Sequence, residues 1–340
     1  MNTSEKVSII IPCRNEDKYI AHCLESIVQA DFEKDNLEVL VVDGQSDDHT
    51  VEIVNYFIAK YSFIRLVENP HRTTPFALNI GIREAKGETV IILGAHSEID
   101  KKFIQNSVDL LKAHPECGCV GGIIENIYED SLSQIISLGM SSRFGVGNAH
   151  FRTGKKSGYV DTTAFGAYRK SVFQQIGLFD EELIRNQDDE FNYRLTRAGY
   201  KIFLSPSIRS KYYVRSSFKK LFKQYFQYGY WKVYVNKKYG TITTVRQLIP
   251  FLFVLFLGGG ALLSLFVPSF FPVYAGILLF YVALCVIMAN KKIKGFKQKL
   301  QLIYTFFILH FSYGVGYVEG IFNFLFLNKK PNIKHAEITR

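Results

Sequence analysis

The chain has 340 residues, 48% hydrophobic and 21% charged, with 41 Lys and Arg against 31 Asp and Glu for a net charge of +10. That length allows more than one folded unit. Five cysteines, an odd number with Cys117 and Cys119 the one close pair, argue against a disulfide framework and against a zinc site, and fit structural thiols in a reducing compartment.

The polar start, residues 1–6, leads into an apolar run at 7–12 that is too short and wrongly flanked for a signal peptide, so the first two hundred residues are expected in the cytoplasm. A continuous β-branched run predicts a buried strand at 7–11, and Ile20, Leu24, Ile27 and Val28 recur at helical spacing within 18–30. Strand 37–42, helix 51–61, strand 63–67, helix 75–85 closed by Gly87, and strand 89–93 follow. This alternation predicts an open, parallel α/β sheet with crossover helices, whose ligands bind beyond the carboxyl ends of the strands.

Polar residues gather at those ends: Pro12-Cys13-Arg14-Asn15-Glu16, then Asp43-Gly44-Gln45-Ser46-Asp47-Asp48, then Gly94-Ala95-His96-Ser97-Glu98. Neither Gly-x-Gly-x-x-Gly nor a Walker loop is present, which argues against an ordinary dinucleotide or kinase-type phosphate cradle. Asp43 suits the donor groups of a ribose or base edge. It equally suits turn and cap hydrogen bonds with Ser46 and Asp48.

The run Asn186 to Arg194 carries the last carboxylates before Glu319. Through Glu190 there are 19 basic and 29 acidic residues, and after it 22 and 2, formal charges of −10 and +20. Such a basic half addresses a polyanion, either nucleic acid or anionic lipid. Two charge-free 20-residue runs, 248–267 and 270–289, are each long enough to cross a bilayer and select the membrane. A third run, 300–327, is broken by His310 and Glu319, and either spans or lies re-entrant or interfacial, because spanning exports Lys329, Lys330 and Lys334. Lys291, Lys292, Lys294, Lys297 and Lys299 place their loop on the cytoplasmic side by the positive-inside rule. Between 209 and 246, lysines alternate with Phe222, Tyr225, Phe226, Tyr228, Tyr230, Trp231 and Tyr234, a composition expected of interfacial helices beside membrane spans.

Asp188, Asp189 and Glu190 open a helix with Phe191 and Leu195 on one face and Gly199 just past its end. Carboxylates there are favoured by the helix dipole without any chemistry, which accounts for Asp189 and Glu190. Arg194, one turn on, is expected to pair with one of them.

In order, Ile-Ile-Pro-Cys-Arg-Asn-Glu, Val-Val-Asp-Gly-Gln-Ser-Asp-Asp-His-Thr, Ala77-Leu78-Asn79-Ile80-Gly81, Phe165-Gly166-Ala167-Tyr168-Arg169 and Asn186-Gln187-Asp188-Asp189-Glu190 resemble the family 2 glycosyltransferases over roughly residues 5–210. Within that family, Gly-Ala-His and Asn-Gln-Asp-Asp-Glu are similar to the succinoglycan-biosynthesis glucosyltransferase branch. The resemblance implies an α/β, GT-A type, nucleotide-sugar-binding open and mostly parallel sheet with flanking helices, plus C-terminal α-helical membrane segments. The corresponding domains are a cytoplasmic catalytic domain at 1–208, basic aromatic interfacial helices at 209–246, a transmembrane region at 247–327 and a basic tail at 328–340.

It further implies that Asp43 contacts uracil or ribose in a pocket completed by Pro12, Arg14 and Glu16, with Ala95 in the donor-binding loop. His96 falls on the last carboxylate of the family's metal-binding Asp-x-Asp, and Gly94 on the first, a departure that puts metal dependence in doubt. Mn²⁺ or Mg²⁺ is the implied cofactor, nitrogen ligation favouring Mn²⁺. The alternative for His96 is a hydrogen-bonded loop residue. Asp188 aligns with the catalytic base, preceded by Gln187 where the family more often has Glu.

The function so implied is inverting transfer of a single hexose from a nucleotide sugar, UDP-linked first, to a lipid-linked or polysaccharide-precursor acceptor at an anionic plasma or inner membrane, by a multi-pass protein and without nucleic acid. A silent nucleotide-sugar or lipid-binding scaffold is kept open by Gly94. A processive synthase is disfavoured because Gln224 to Trp231 lacks the Arg-Trp pair of Gln-x-x-Arg-Trp. The missing Gly-rich phosphate loop disfavours a nucleotidyltransferase.

Overall fold

A computed structural model describes residues 5–154, 156–214 and 216–331. The strands are β1 (Val7–Cys13), β2 (Leu37–Asp43), β3 (Ile64–Glu68), β4 (Thr89–Ile92), β5 (Ser97–Ile99), β6 (Cys117–Ile127), β7 (Gly158–Val160), β8 (Ala164–Arg169) and β9 (Lys201–Tyr213). The helices are α1 (Ile20–Val28), α2 (Thr50–Ile58), α3 (Thr74–Glu84), α4 (Phe103–Ala113), α5 (Ser131–Met140), α6 (Arg143–Val146), α7 (His150–Thr153), α8 (Lys170–Ile176), α9 (Gln187–Arg197), α10 (Phe218–Tyr239), α11 (Ile249–Phe266), α12 (Phe271–Lys292) and α13 (Phe296–Gly320). They form two compact units, one of residues 1–126 and 149–213, the other of 127–148 and 214–340. The stretch 127–148, inside the sequence-based catalytic domain, thus belongs with the C-terminal helices.

In the first unit the strand order is β3-β2-β1-β4-β8-β6-β9-β5, with β7 beside β9. β3, β2, β1 and β4 are parallel, while β8 runs antiparallel to β4 and β6, and β9 to β5 and β7. The sheet is therefore mixed, and its parallel half is built from the four runs legible in the sequence. Those runs are continuously apolar because both faces are covered. Ile9 and Ile11 join Ile20, Leu24, Ile27, Val54, Phe103 and Ile104 on one side. Ile10 joins Ala77, Leu78, Ile82, Phe173 and Phe191 on the other. All five cysteines are buried, and no disulfide joins them.

In the second unit α10 and α13 meet at backbone distance. A Cβ on Gly229 would overlap the Tyr313 carbonyl, one on Gly316 the Phe226 carbonyl, and one on Gly320 would lie 2.7 Å from the Tyr230 oxygen. Small residues let helix backbones approach in this way. Tyr225, Tyr230, Trp231 and Lys232 are buried, so these members of the aromatic and basic stretch pack inside the unit, while Lys219, Lys220, Lys237 and Lys238 are exposed. Lys232 Nζ donates to Thr244 Oγ1 at 3.2 Å, and Asn236 Nδ2 to the Tyr317 hydroxyl at 3.0 Å. Gly229→Ala and Gly316→Ala are expected to lower the melting temperature of the purified protein, because overpacking of about 1–3 kcal/mol exceeds the helix-propensity gain of about 1 kcal/mol. Gly276→Ala on α12, where a Cβ meets nothing, is the control and should be neutral or stabilising.

Two helical stretches, Val245–Phe266 and Pro268–Lys292, are long and apolar enough to cross a membrane, and only 6% of each apolar window is buried. Leu262, Leu265, Phe266, Leu279 and Phe280 are among the large apolar side chains they expose. One 3₁₀ turn, Pro268–Phe270, joins them. The 300–327 run lies within α13 and the π-helical turn Ile321–Phe326, with Phe306, Ser312, Tyr313 and Gly316 buried. The basic tail assigned to 328–340 lies outside the described residues from 332 onward.

Candidate active site

β1 and β2 end side by side, Cys13 opposite Asp43, and Leu93 beyond β4 donates its N–H to the Ile10 carbonyl at 3.0 Å. Parallel pairing thus brings the three polar loops together. The first two are fastened by side chains. Asn15 takes its place by donating N–H to Ser46 Oγ at 2.9 Å and Nδ2 to Asp47 Oδ1 at 2.7 Å. Glu16 N–H donates to Thr50 Oγ1 at 2.7 Å, and Asp17 N–H to Asp48 Oδ2 at 3.2 Å. Asn15 and Gln45 are left-handed, at φ 56° and 57°, a conformation that short polar side chains tolerate. Burial acts to raise the Asp48 carboxyl, but hydrogen bonds from Thr50 and Asp17 outweigh it and hold the group below its usual range.

Asp43 ends β2 at 7% exposure, accepting Ser46 N–H at 3.0 Å and Ser46 Oγ–H at 2.5 Å. These are the turn bonds of the second reading of this residue. They leave lone pairs on a carboxylate with about four acceptor positions, so a ligand contact stays compatible. Pro12 lies in β1 beside Val42. Arg14 follows, and its buried Nε has no hydrogen-bond partner among the described residues. A Cβ on Gly44 would sit 3.2 Å from the Arg72 carbonyl and 3.4 Å from Arg14 Cβ, so the chain passes tightly between two arginines. Arg72, left-handed at φ 63°, donates Nε to Gln45 Oε1 at 2.6 Å. This second cation was not singled out in the sequence, because the segment between β3 and α3 has no periodic pattern.

At the end of β4, Ala95 is fully buried. His96 Nδ1 lies 3.5 Å from Glu16 Oε1, and its ring meets Tyr212 edge-on, centroids 4.9 Å apart. Arg152 stacks over the far neighbour Tyr212 at 5.5 Å. A Cβ on Gly94 would come 3.2 Å from the Phe165 ring and 3.6 Å from His96 Cε1, so a side chain there would press on both rings. The structure therefore joins Glu16 to His96, a pairing that sequence spacing could not show.

Asp188 is carried by a different element, as the second residue of α9, and is exposed. Asn186 caps that helix in the left-handed region, φ 61°. Burial first, then the charges of Cys119 and Asp188, push the Tyr168 hydroxyl well above its ordinary value, which brings Asp188 within electrostatic reach of β8. Glu190 is wholly buried and takes Arg194 on both oxygens, at 2.7 and 3.0 Å. Arg194 also donates to the carbonyls of Ile176 and Leu178 at 2.6 and 2.7 Å. Asn79 holds the same turn from α3, through the Phe179 carbonyl at 2.9 Å, the Phe179 N–H at 2.9 Å and Glu181 at 2.8 Å. The expected pairing of Arg194 is thus with Glu190.

His114, Glu116 and Cys117 bring three ligand atoms within 4.8 Å of one another. Glu116 accepts from the Tyr159 hydroxyl at 2.6 Å, and His114 stacks on Phe203. Burial and the charge of Glu116 push the Cys117 thiol up to about 11, against the pull of Arg169 and Lys201. Tyr159 of β7 is tied through its hydroxyl to Glu116, the residue that precedes β6.

Residues 8–177 match the family model for glycosyl transferase family 2. The dolichyl N-acetyl-α-D-glucosaminyl phosphate 3-β-D-2,3-diacetamido-2,3-dideoxy-β-D-glucuronosyltransferase of Methanococcus voltae is 36% identical over 259 residues, 74% of this chain and 79% of that relative. Succinoglycan biosynthesis protein ExoA of Rhizobium meliloti (strain 1021) is 28% identical over 77% of this chain and 79% of its own length. Among solved structures, the Pyrobaculum calidifontis mannosyltransferase PcManGT, in complex with GDP-Man and Mn²⁺, superposes with a TM-score of 0.59 at 18% identity, over 95% of this chain and 88% of that one. A sheet of this topology, a family match over half the chain and a 36% identical relative together make the chain a member of glycosyl transferase family 2, a glycosyltransferase of the GT-A fold.

Proposed function

We propose that this protein transfers one sugar from a nucleotide-sugar donor, bound at the carboxyl ends of β1, β2 and β4, to a lipid-linked or polysaccharide-precursor glycan, with inversion. The observation that carries the reading is the convergence of Arg14, Asp43 and His96 on one end of the sheet, with the orphan Arg14 Nε suited to an anionic ligand. An acceptor on a lipid carrier is supported by the name of the Methanococcus voltae relative, a dolichyl N-acetyl-α-D-glucosaminyl phosphate glycosyltransferase, and by the exposed apolar faces of α11 and α12. Lys291, Lys292, Lys294, Lys297 and Lys299 favour a multi-pass arrangement with the catalytic unit on the cytoplasmic side of the cell membrane.

Asp188 takes the acceptor hydroxyl proton as that oxygen attacks the anomeric carbon, from the face opposite the departing diphosphate. Arg14 and Arg72 flank the donor loop and balance charge gathering on the leaving group. The donor set at β4, an imidazole with a carboxylate behind it, fits a divalent cation that tolerates nitrogen, Mn²⁺ ahead of Mg²⁺. Bound there, such an ion would neutralise developing diphosphate charge; Mn²⁺ in the PcManGT and GalNAc-T7 structures supports this choice.

The test incubates membranes carrying the protein with labelled UDP- and GDP-sugars and measures label in the lipid fraction. One sugar per acceptor is expected, abolished by chelator and restored by Mn²⁺. A ladder of products would establish the processive alternative, which relatives such as the poly-β-1,6-N-acetyl-D-glucosamine synthase of Staphylococcus aureus (strain COL) raise at 25% identity. Absence of transfer with every donor, alongside intact nucleotide binding, would establish the scaffold.

A further inference from the structure

We propose that Glu16 is a positioning residue for His96: its buried negative charge favours the proton on Nδ1 and leaves Nε2, turned outward, as the nitrogen that meets a divalent ion. The inference rests on the reading of this loop as the ion site and departs from the sequence-based placement of Glu16 in the nucleotide pocket.

Five observations carry it. Glu16 is 2% exposed, and a carboxylate buried that deeply requires a polar or cationic partner. Its backbone is fixed on both sides, the N–H on Thr50 Oγ1 and the carbonyl accepting from Tyr19 and Ile20 at 2.9 Å each, so the side chain leaves from a rigid point at the start of α1. Its Oε1 faces His96 Nδ1 at 3.5 Å, within ion-pair range and longer than a hydrogen bond, so the coupling is through charge. Nδ1 is itself buried, whereas the His96 side chain keeps 18% exposure, so what is open on the ring lies away from Glu16. Tyr212 closes the imidazole from another side, and β9 holds Tyr212 by pairing it with Ser97, the residue after His96. The ring is thus set by a carboxylate and an aromatic wall before any ligand arrives.

The arrangement answers a problem specific to this chain. A side chain at position 94 would press on the Phe165 ring, and Phe165 is left-handed at φ 50° on the neighbouring strand. The negative charge that Gly94 does not carry is supplied by Glu16, in the loop after β1, through the histidine. Histidines that bind metals commonly donate their second N–H to a carboxylate, which sets the tautomer and raises the basicity of the ligating nitrogen.

The experiment uses the full-length protein in detergent with Mn²⁺ as the probe. Ion affinity is measured by loss of the free Mn²⁺ paramagnetic signal, and UDP affinity separately in chelator. Glu16→Gln is expected to weaken Mn²⁺ binding about 10- to 100-fold, while UDP affinity in chelator moves less than twofold. Adding Glu16→Gln to His96→Ala should cause little further loss, as coupled residues do. If Glu16→Gln lowers UDP affinity in chelator and spares Mn²⁺, Glu16 belongs to the nucleotide pocket and the proposal fails. The wild-type protein gives a second arm that needs no variant: ¹⁵N spectra of labelled histidine should show His96 protonated on Nδ1, and protonation on Nε2 would overturn the assignment even if Glu16→Gln cannot fold. Sugar transfer by the wild type is scored independently, so loss of the glycosyltransferase reading is distinguishable from loss of this one.

Discussion

Asp188→Asn is expected to lower kcat by about 10² to 10⁴, the usual contribution of a general base, with donor KM near the wild-type value. The substitution keeps size and hydrogen-bonding shape while removing the capacity to accept a proton. Its structural side effects should be small because Asp188 is exposed in the first turn of α9, where Asn is also tolerated. Equal falls in kcat and kcat/KM would mark an interaction made only in the transition state, whereas a raised donor KM alone would mark lost binding. Asp189→Asn, one residue along the same turn, is the control. If Asp189→Asn carries the loss and Asp188→Asn does not, the base assignment moves by one residue; if neither slows transfer, the helix supplies no base. The Tyr168 hydroxyl, already raised by burial and by the nearby charges, should move back toward its ordinary value in Asp188→Asn.

The parallel half of the sheet was legible because a strand buried on both faces shows as a continuous apolar run, and Ile9, Ile10 and Ile11 are split between two cores by a simple alternation. The antiparallel half was not. β8 contains Phe165 in a left-handed conformation and Gly166, and β6 opens on Cys117-Gly118-Cys119 and contains Gly121 and Gly122, so neither has the apolar period that identifies a strand. Asp43, His96 and Asp188 were singled out as candidates by ordered motifs. The contacts between loops were not legible, since Glu16 and His96 are eighty residues apart in the chain and meet only because β1 and β4 are neighbours. Arg72 and Asn79 were hidden for a related reason: one lies in a segment without period, the other on a helix where an Asn reads as an ordinary polar position. In the aromatic stretch of α10, whose composition suits a membrane surface, Trp231 is fully buried beside Phe324, while Lys219 and Lys220 stay exposed.

Arg194→Met is expected to destabilise the first unit by about 3–5 kcal/mol, the range found when one partner of a buried ion pair is removed. For a unit of this size that corresponds to a fall in melting temperature of roughly 6 to 20 °C. The reason is the environment of Glu190 more than the strength of the pair. Glu190 has no exposed surface, and Arg194 reaches both of its oxygens, so the variant leaves a charge enclosed by Phe191 and the α8 turn with its main counter-charge gone. Two carbonyls, Ile176 and Leu178, lose their donors at the same time. The double substitution Glu190→Gln with Arg194→Met removes the stranded charge and should recover part of the stability lost in Arg194→Met, a sign that simple truncation of packing would not give. A loss below about 1 kcal/mol for Arg194→Met, in the range of an exposed pair, would mean that another cation compensates Glu190. The clamp also bears on the proposed chemistry, because the turn it holds leads through Glu181 to Asn186 and Asp188, the proposed base. At a temperature where Arg194→Met is still folded, its kcat should fall while donor affinity in the β1, β2 and β4 loops stays close to wild type, separating the acceptor-side geometry from the donor site.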